Sequence, residues 1–283
     1  MAFRAYFYEP FNIPTGSMQP TLYGNHSISC SPKEADFFDK TPLKWLKWIA
    51  TGEMYEHFQA PFGGTLQFRP TNTGHYDMRV VNGLTGRTSK QMLVPTDVLH
   101  PHETGDGPYR QQTFALPNGL THGSAVSAGQ SLWSGKVVTG DFLFVNRWLW
   151  NFRHPRRGDV MIFSTTGIAG LQQGTHYIKR LTATPGDTLE IKDAAVYIDG
   201  ERQPSLKPET GAAGEASPRY DAGPMTGPVT LGADEYFACG DNSYPAQMSF
   251  DSRYWGMVPG TKLRGVAACV FWPIVNPRIG RIK

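Results

Sequence analysis

Turn residues interrupt this 283-residue chain every few positions, and that spacing limits its fold more than any other feature. It holds 31 Gly and 22 Pro among runs rich in Val, Thr, Tyr, Phe and Trp. β-Branched and aromatic residues between Gly and Pro breaks form short strands rather than helices. "GTLQFRP" from Gly64, "RRGDVMIFSTT" from Arg156 and "GTHYIKRLTATPGDTLEIKDAAVYIDGE" from Gly174 are examples. Asn82 with Gly83, and Asp199 with Gly200, carry two-residue hairpin signals. The apolar run "KVVTGDFLFVNRWLW" from Lys136 reads as one buried strand. A single stretch, "TPLKWLKWIATG", has a helical pattern. Thr41 stands as N-cap, Pro42 at the first position and Gly52 as the stop. The expected fold class is mainly β with one helix, and the length allows one large domain or two smaller ones.

Composition excludes several functions. A net charge of +3 calls for no nucleic-acid partner. The three cysteines, Cys30, Cys239 and Cys269, include no closely spaced pair, so neither a disulfide framework nor a zinc site is expected. His100, His102 and Glu103 cluster in "HPHETGD", but no third ligand follows at a convincing spacing. No metal and no cofactor are expected. The apolar run from Gly265 is too short to span a membrane and holds two prolines. Phe3, Tyr6, Phe7, Tyr8 and Phe11 make an aromatic-rich start, suited to a bilayer surface or to packing on a sheet.

Chemistry concentrates at "NIPTGSMQPTL", residues 12–22, where a lone serine sits inside a stiff frame. Proline fixes φ and restricts the residue before it, so Ile13 and Gln19 are held extended. Gly16 permits a bend just before Ser17. A serine hydroxyl needs a base to become a nucleophile. No histidine has a compelling setting; His176 is the nearest candidate. A lysine serves if burial lowers its pKa from near 10.4 toward neutrality, by roughly 3 units. Lys179 in "HYIKRL", inside an apolar β run, offers that.

Three blocks in order, "IPTGSMQPTL", "YIKRLTATPGD" and "GDNSYPAQMSFDSRYWGMVP", resemble type I signal peptidase, a membrane-bound Ser/Lys protease family. The resemblance covers residues 3–24 and about 136–275. It implies an antiparallel-sheet catalytic domain made of residues 1–24 and 136–283, with 201–228 as a short polar loop or minimal subdomain. Residues 25–135, which the family pattern lacks, read as an inserted, mostly β module with the one helix. By resemblance, Ser17 is the nucleophile and Lys179 the general base. Thr15, with the Ser17 N–H, supplies an oxyanion hole. Ser249 hydrogen-bonds and orients the lysine amine. Asp251 and Arg253 brace the region as an ion pair. Gly240, Asp241 and Asn242 form the turn that brings this block to the site. Ile13, Pro14, Met18, Leu22, Tyr177 and Ile178 line a groove for an extended peptide.

The resemblance also implies partners and place. These are preprotein signal peptides cut after small residues of an Ala-X-Ala type, the membrane surface and the secretion translocon. The catalytic domain would act at the outer face of a bacterial inner membrane. The family carries transmembrane helices before the serine block, so this chain reads as a soluble fragment of a longer protein. A peptide-binding or scaffold protein that has lost catalysis is the alternative, and it predicts loss of Ser17 or Lys179; both are present.

Overall fold

The computed structural model describes residues 7–32, 35, 37–40, 42–71, 73–104, 111–207 and 219–282. The chain divides into two compact units. One comprises Met1–Gly24 with Asp141–Lys283, the other Asn25–Gly140. Strands dominate both, as the turn-broken pattern predicts.

The first unit is built on an eight-stranded sheet. Its order runs Tyr8–Asn12, Phe142–Asn146, Leu263–Trp272, Val160–Ser164, His176–Ala183, Glu235–Cys239 and Val258–Pro259, with Gly280–Arg281 added beside Leu263–Trp272. Every pairing is antiparallel. Ile13, Met18 and Leu22 pack with Leu143, Val145, Val160 and Ile162 in one core cluster. Met161, Phe163, Leu181 and Ala238 form another. A smaller four-stranded sheet joins Glu201–Arg202, Ala195–Ile198, Thr188–Lys192 and Val229–Thr230.

Asp199 and Gly200 close a hairpin with φ of 52° and 83°, the paired positive φ that a two-residue turn requires. A second such turn, at Asp193 and Ala194 (φ 50° and 57°), joins Lys192 to Ala195 without any glycine. The described parts of the 201–228 stretch, residues 201–207 and 219–228, are not wholly exposed. Lys207 and Tyr220 within it are buried, and Tyr220 joins a core with Leu189, Ile191 and Phe237.

In the second unit one sheet holds His26–Ser29, Ser131–Val138 and Glu53–Gln59. Another holds Met92–Pro95, His75–Val81, Gly64–Pro70 and Ala125–Val126. Leu66, Met78, Val80, Val94 and Leu132 are fully buried in its core. The run from Lys136 is not one strand. It breaks at residues 139–141, so Ser131–Val138 belongs to this unit and Phe142–Asn146 to the other. The chain does reverse at Asn82–Gly83, pairing His75–Val81 antiparallel with Met92–Pro95, but through a turn wider than two residues. Asn82 accepts the Leu84 and Thr85 N–H groups with its side chain, and Gly86 takes the positive φ of 68°. The helix spans Leu43–Thr51 and stops at Gly52 (φ 73°), whose N–H bonds the Trp48 carbonyl. Pro42 occupies the N-cap position. Thr41, Phe3 and Tyr6 lie outside the described residues. Among the described residues no helix is long and apolar enough to cross a membrane.

Candidate active site

Ser17 sits at the centre of a 3-10 turn, Gly16–Met18. The flanking Thr15 (φ −128°, ψ 158°) and Gln19 (φ −63°, ψ 144°) are extended, Gln19 as the following proline dictates. The turn is closed by the Gln19 N–H on the Gly16 carbonyl and the Leu22 N–H on the Met18 carbonyl. The side chains around the serine anchor it. Ile13, Met18 and Leu22 are at most 2% exposed, while Ser17 itself is only half-buried. Of the six residues expected to line a groove, these three are core members. Pro14, Tyr177 and Ile178 keep exposed surface.

Lys179 approaches from the strand His176–Ala183, on the strand face it shares with Tyr177 and Leu181. Both belong to or pack on an apolar cluster with Met161 and Phe163. Lys179 is 4% exposed, and its Nζ lies 2.6 Å from Ser17 Oγ. Burial pushes its pKa down to about 8, against the opposing pull of the Asp251 carboxylate. As an ammonium it donates to Oγ. As a neutral amine it can accept the serine proton, the geometry a general base needs.

The third segment holds the first two together. The Asn242 N–H bonds the Ser17 carbonyl at 3.1 Å, and Asn242 Nδ2 bonds the Gly16 carbonyl at 3.2 Å. A Cβ on Gly240 would collide with Ser249 Oγ and the Ser17 carbonyl, so only glycine allows this approach. The Gly240 N–H donates to Asp251 Oδ2 at 2.9 Å. Asp251 and Arg253 form a fully buried, two-pronged ion pair at 2.7 Å. Burial opposes the Arg253 charge, yet its hydrogen bonds to Asp251 prevail and the Arg253 pKa is raised.

Two placements differ from what the resemblance implies or go beyond it. Ser249 makes no bond to Lys179. Its buried hydroxyl has no hydrogen-bond partner among the described residues and packs against Gly240, while the lysine amine is directed at Ser17. Thr15 is exposed and its hydroxyl does not cap the turn.

Sequence reasoning missed three contributors. Arg180 clasps Asp241 through Nε and Nη2, each at 2.7 Å, and Thr21 Oγ1 donates to the same carboxylate at 2.5 Å. An arginine inside an apolar strand, next to Lys179 and on the opposite face, was the available signal. Lys207, the third, carried no local signal. Among the described residues no group of three His, Cys, Asp or Glu side chains is placed to hold a metal. The side chains of His100, His102 and Glu103 lie outside the described residues. Cys30, Cys239 and Cys269 form no disulfide with one another, and burial raises the Cys239 thiol to about 12.

Comparison with known proteins bears on the same residues. The sequence profile described as "Signal peptidase, peptidase S26" matches residues 125–272. A probable signal peptidase I-2 from Synechocystis sp. is 34% identical over 141 residues, 50% of this chain and 58% of its own length. Signal peptidase I P from Bacillus subtilis subsp. natto is 32% identical over 145 residues, 50% of this chain and 73% of its own. The matched part thus spans 58% and 73% of these two relatives. A solved signal peptidase I from Enterococcus faecalis is 27% identical, covering 40% of this chain and 97% of that one, at a TM-score of 0.28. Ser17 lies before the profile match, so its place in the site rests on its geometry with Lys179 and Asn242.

Proposed function

The chain belongs to the signal peptidase family, peptidase S26, and from that premise we propose that it is a serine endopeptidase removing N-terminal signal peptides from exported preproteins. The observation that carries this is the 2.6 Å approach of Lys179 Nζ to Ser17 Oγ in a site where burial has lowered the lysine's pKa.

In the proposed reaction neutral Lys179 takes the Ser17 proton as Oγ attacks the scissile carbonyl. The Thr15 hydroxyl and the Ser17 N–H stabilise the tetrahedral oxyanion. The proton passes from Lys179 to the leaving amine, which departs as the mature protein's N-terminus. Lys179 then activates water, and hydrolysis of the acyl ester frees Ser17.

The sheet supports binding of an extended peptide beside the dyad. Residues 180–183 pair with Glu235–Cys239, but no described strand pairs with residues 176–179 on that side. This open edge ends at Lys179 and accepts a peptide by backbone hydrogen bonds. Tyr177, Ile178 and Pro14 keep apolar surface at this part of the site, and Ile178 packs on the core of Ile13, Met18 and Leu22, a setting that suits small apolar side chains of the peptide.

The unit's surface supports work at a membrane. Phe7, Trp148 and Phe152 form an edge-to-face cluster, with Trp148 45% and Phe152 74% exposed. Ile274 and Val275 are also exposed. Aromatic and aliphatic groups of this kind favour the bilayer interface.

The test is incubation with a preprotein carrying an Ala-X-Ala site, in detergent, followed by N-terminal sequencing of the product. One new N-terminus directly after the small-residue site is expected. Intact preprotein, or cuts scattered through it, contradicts the proposal.

A further inference from the structure

We infer that Lys207 is a positioning residue for the nucleophile, its ammonium holding residues 241–243 in the shape that hooks Ser17 beside Lys179. The inference rests on the peptidase reading above.

Lys207 comes from a Pro- and Gly-rich stretch, yet it is only 4% exposed. Its Nζ donates to the Arg219 carbonyl at 2.6 Å, the Asp241 carbonyl at 2.8 Å and Ser243 Oγ at 2.8 Å. Three donors meet three acceptors, so the ammonium is fully satisfied. The Tyr220 ring lies 4.1 Å from Nζ and adds a cation–π contact. Among the described residues no carboxylate bonds this ammonium directly. The Asp241 carboxylate is taken by Arg180 and Thr21.

Filling space is a poor reason for a buried cation. A methionine occupies a similar volume without the desolvation penalty of an ammonium. What the charge supplies is fixed geometry at two backbone positions. Asp241 and Ser243 flank Asn242, and Asn242 ties this segment to the serine turn through its bonds to the carbonyls of Gly16 and Ser17. Arg253 Nη1 adds a bond to the Ser243 carbonyl at 3.1 Å. Lys207 therefore clamps both neighbours of the hook. It bonds neither Ser17 nor Lys179, so it acts through Asn242 and not on the reacting atoms.

The test compares Lys207→Met and Ser243→Ala with the parent on an Ala-X-Ala peptide, measuring kcat, KM and the melting temperature of each. Because small misplacements of a nucleophile are steeply penalised, Lys207→Met is expected to lower kcat about 30- to 100-fold. KM should stay within about twofold, since the open edge at residues 176–179 is untouched. Ser243→Ala, which removes one acceptor, should lower kcat about 3- to 10-fold. A lysine that only stabilised the fold would lower the melting temperature and leave kcat of the folded protein unchanged. That result in Lys207→Met overturns the inference. If Lys207→Met fails to fold by circular dichroism, Ser243→Ala decides, and parental kcat in it is equally fatal. A parent that cleaves nothing contradicts the peptidase reading, and this inference falls with it.

Discussion

Ser17 and Lys179 stand 162 residues apart in the chain and 2.6 Å apart in space. Neither residue is reactive alone at neutral pH. An exposed lysine stays protonated, and a serine without a base is a weak nucleophile. The fold joins them and buries the amine, and the chemistry follows from that.

The first prediction concerns pH. Only neutral Lys179 can accept a proton, so kcat/KM should climb as pH rises, with an apparent pKa of about 8. A pH–rate profile on a peptide substrate checks this. Stability should follow the same sign. The folded pKa is depressed below the ordinary 10.5, so the folded state binds fewer protons than the unfolded state between about 8 and 10.5. The contribution is fully present above 10.5 and lost as pH falls through about 8. Lys207, lowered to about 8 chiefly by burial, adds to it in the same window.

A second prediction concerns the buried brace. Arg253 bonds Asp251 and also the carbonyls of Asp221, Ser243, Ala246 and Ser249. Arg253→Met strands the Asp251 carboxylate in a dry site. A broken buried pair of this kind destabilises by about 3–5 kcal/mol. Urea unfolding measures it, and the activity of whatever remains folded should also drop.

Gly240→Ala is predicted to damage the site more than the fold. The added Cβ meets Ser249 Oγ and the Ser17 carbonyl, so the nucleophile's turn must shift. Overpacking of this sort costs about 1–3 kcal/mol in stability. A sharper loss of kcat is expected, since the displaced group is Ser17 itself. Melting curves beside kinetics separate the two effects.

Ser249→Ala is predicted to leave stability unchanged or slightly higher. The hydroxyl is buried and has no partner among the described residues, so its removal relieves a desolvated polar group. A loss of more than about 2 kcal/mol in a thermal melt would reveal a hydrogen bond in solution, with the Lys179 amine the obvious acceptor or donor.

The proline frame of Ser17 and the apolar setting of Lys179 are local features, and a linear reading finds both. The strand character of the chain was legible for the same reason, because turn residues mark it position by position. Features that depend on distant partners were not. Nothing near Arg180 announces Asp241, and nothing near Lys207 announces Arg219 or Ser243. Lys207 lies in a Pro- and Gly-rich stretch whose composition resembles a solvated loop, and only the folded chain shows its burial. The turn at Asp193 and Ala194 lacks glycine and so lacks a signal. The break at residues 139–141 lies inside an apolar run, where composition does not change although the strand ends. Asn82 and Gly83 have the hairpin dipeptide, but the Asn82 side chain organises a wider turn.

The most direct measurement is cleavage of an Ala-X-Ala peptide in detergent by the parent, Ser17→Ala and Lys179→Met at one pH above 8. The account predicts activity in the parent and a loss of at least about 1,000-fold in each variant, with both folded by circular dichroism. Parental activity in either folded variant would contradict the Ser17–Lys179 dyad.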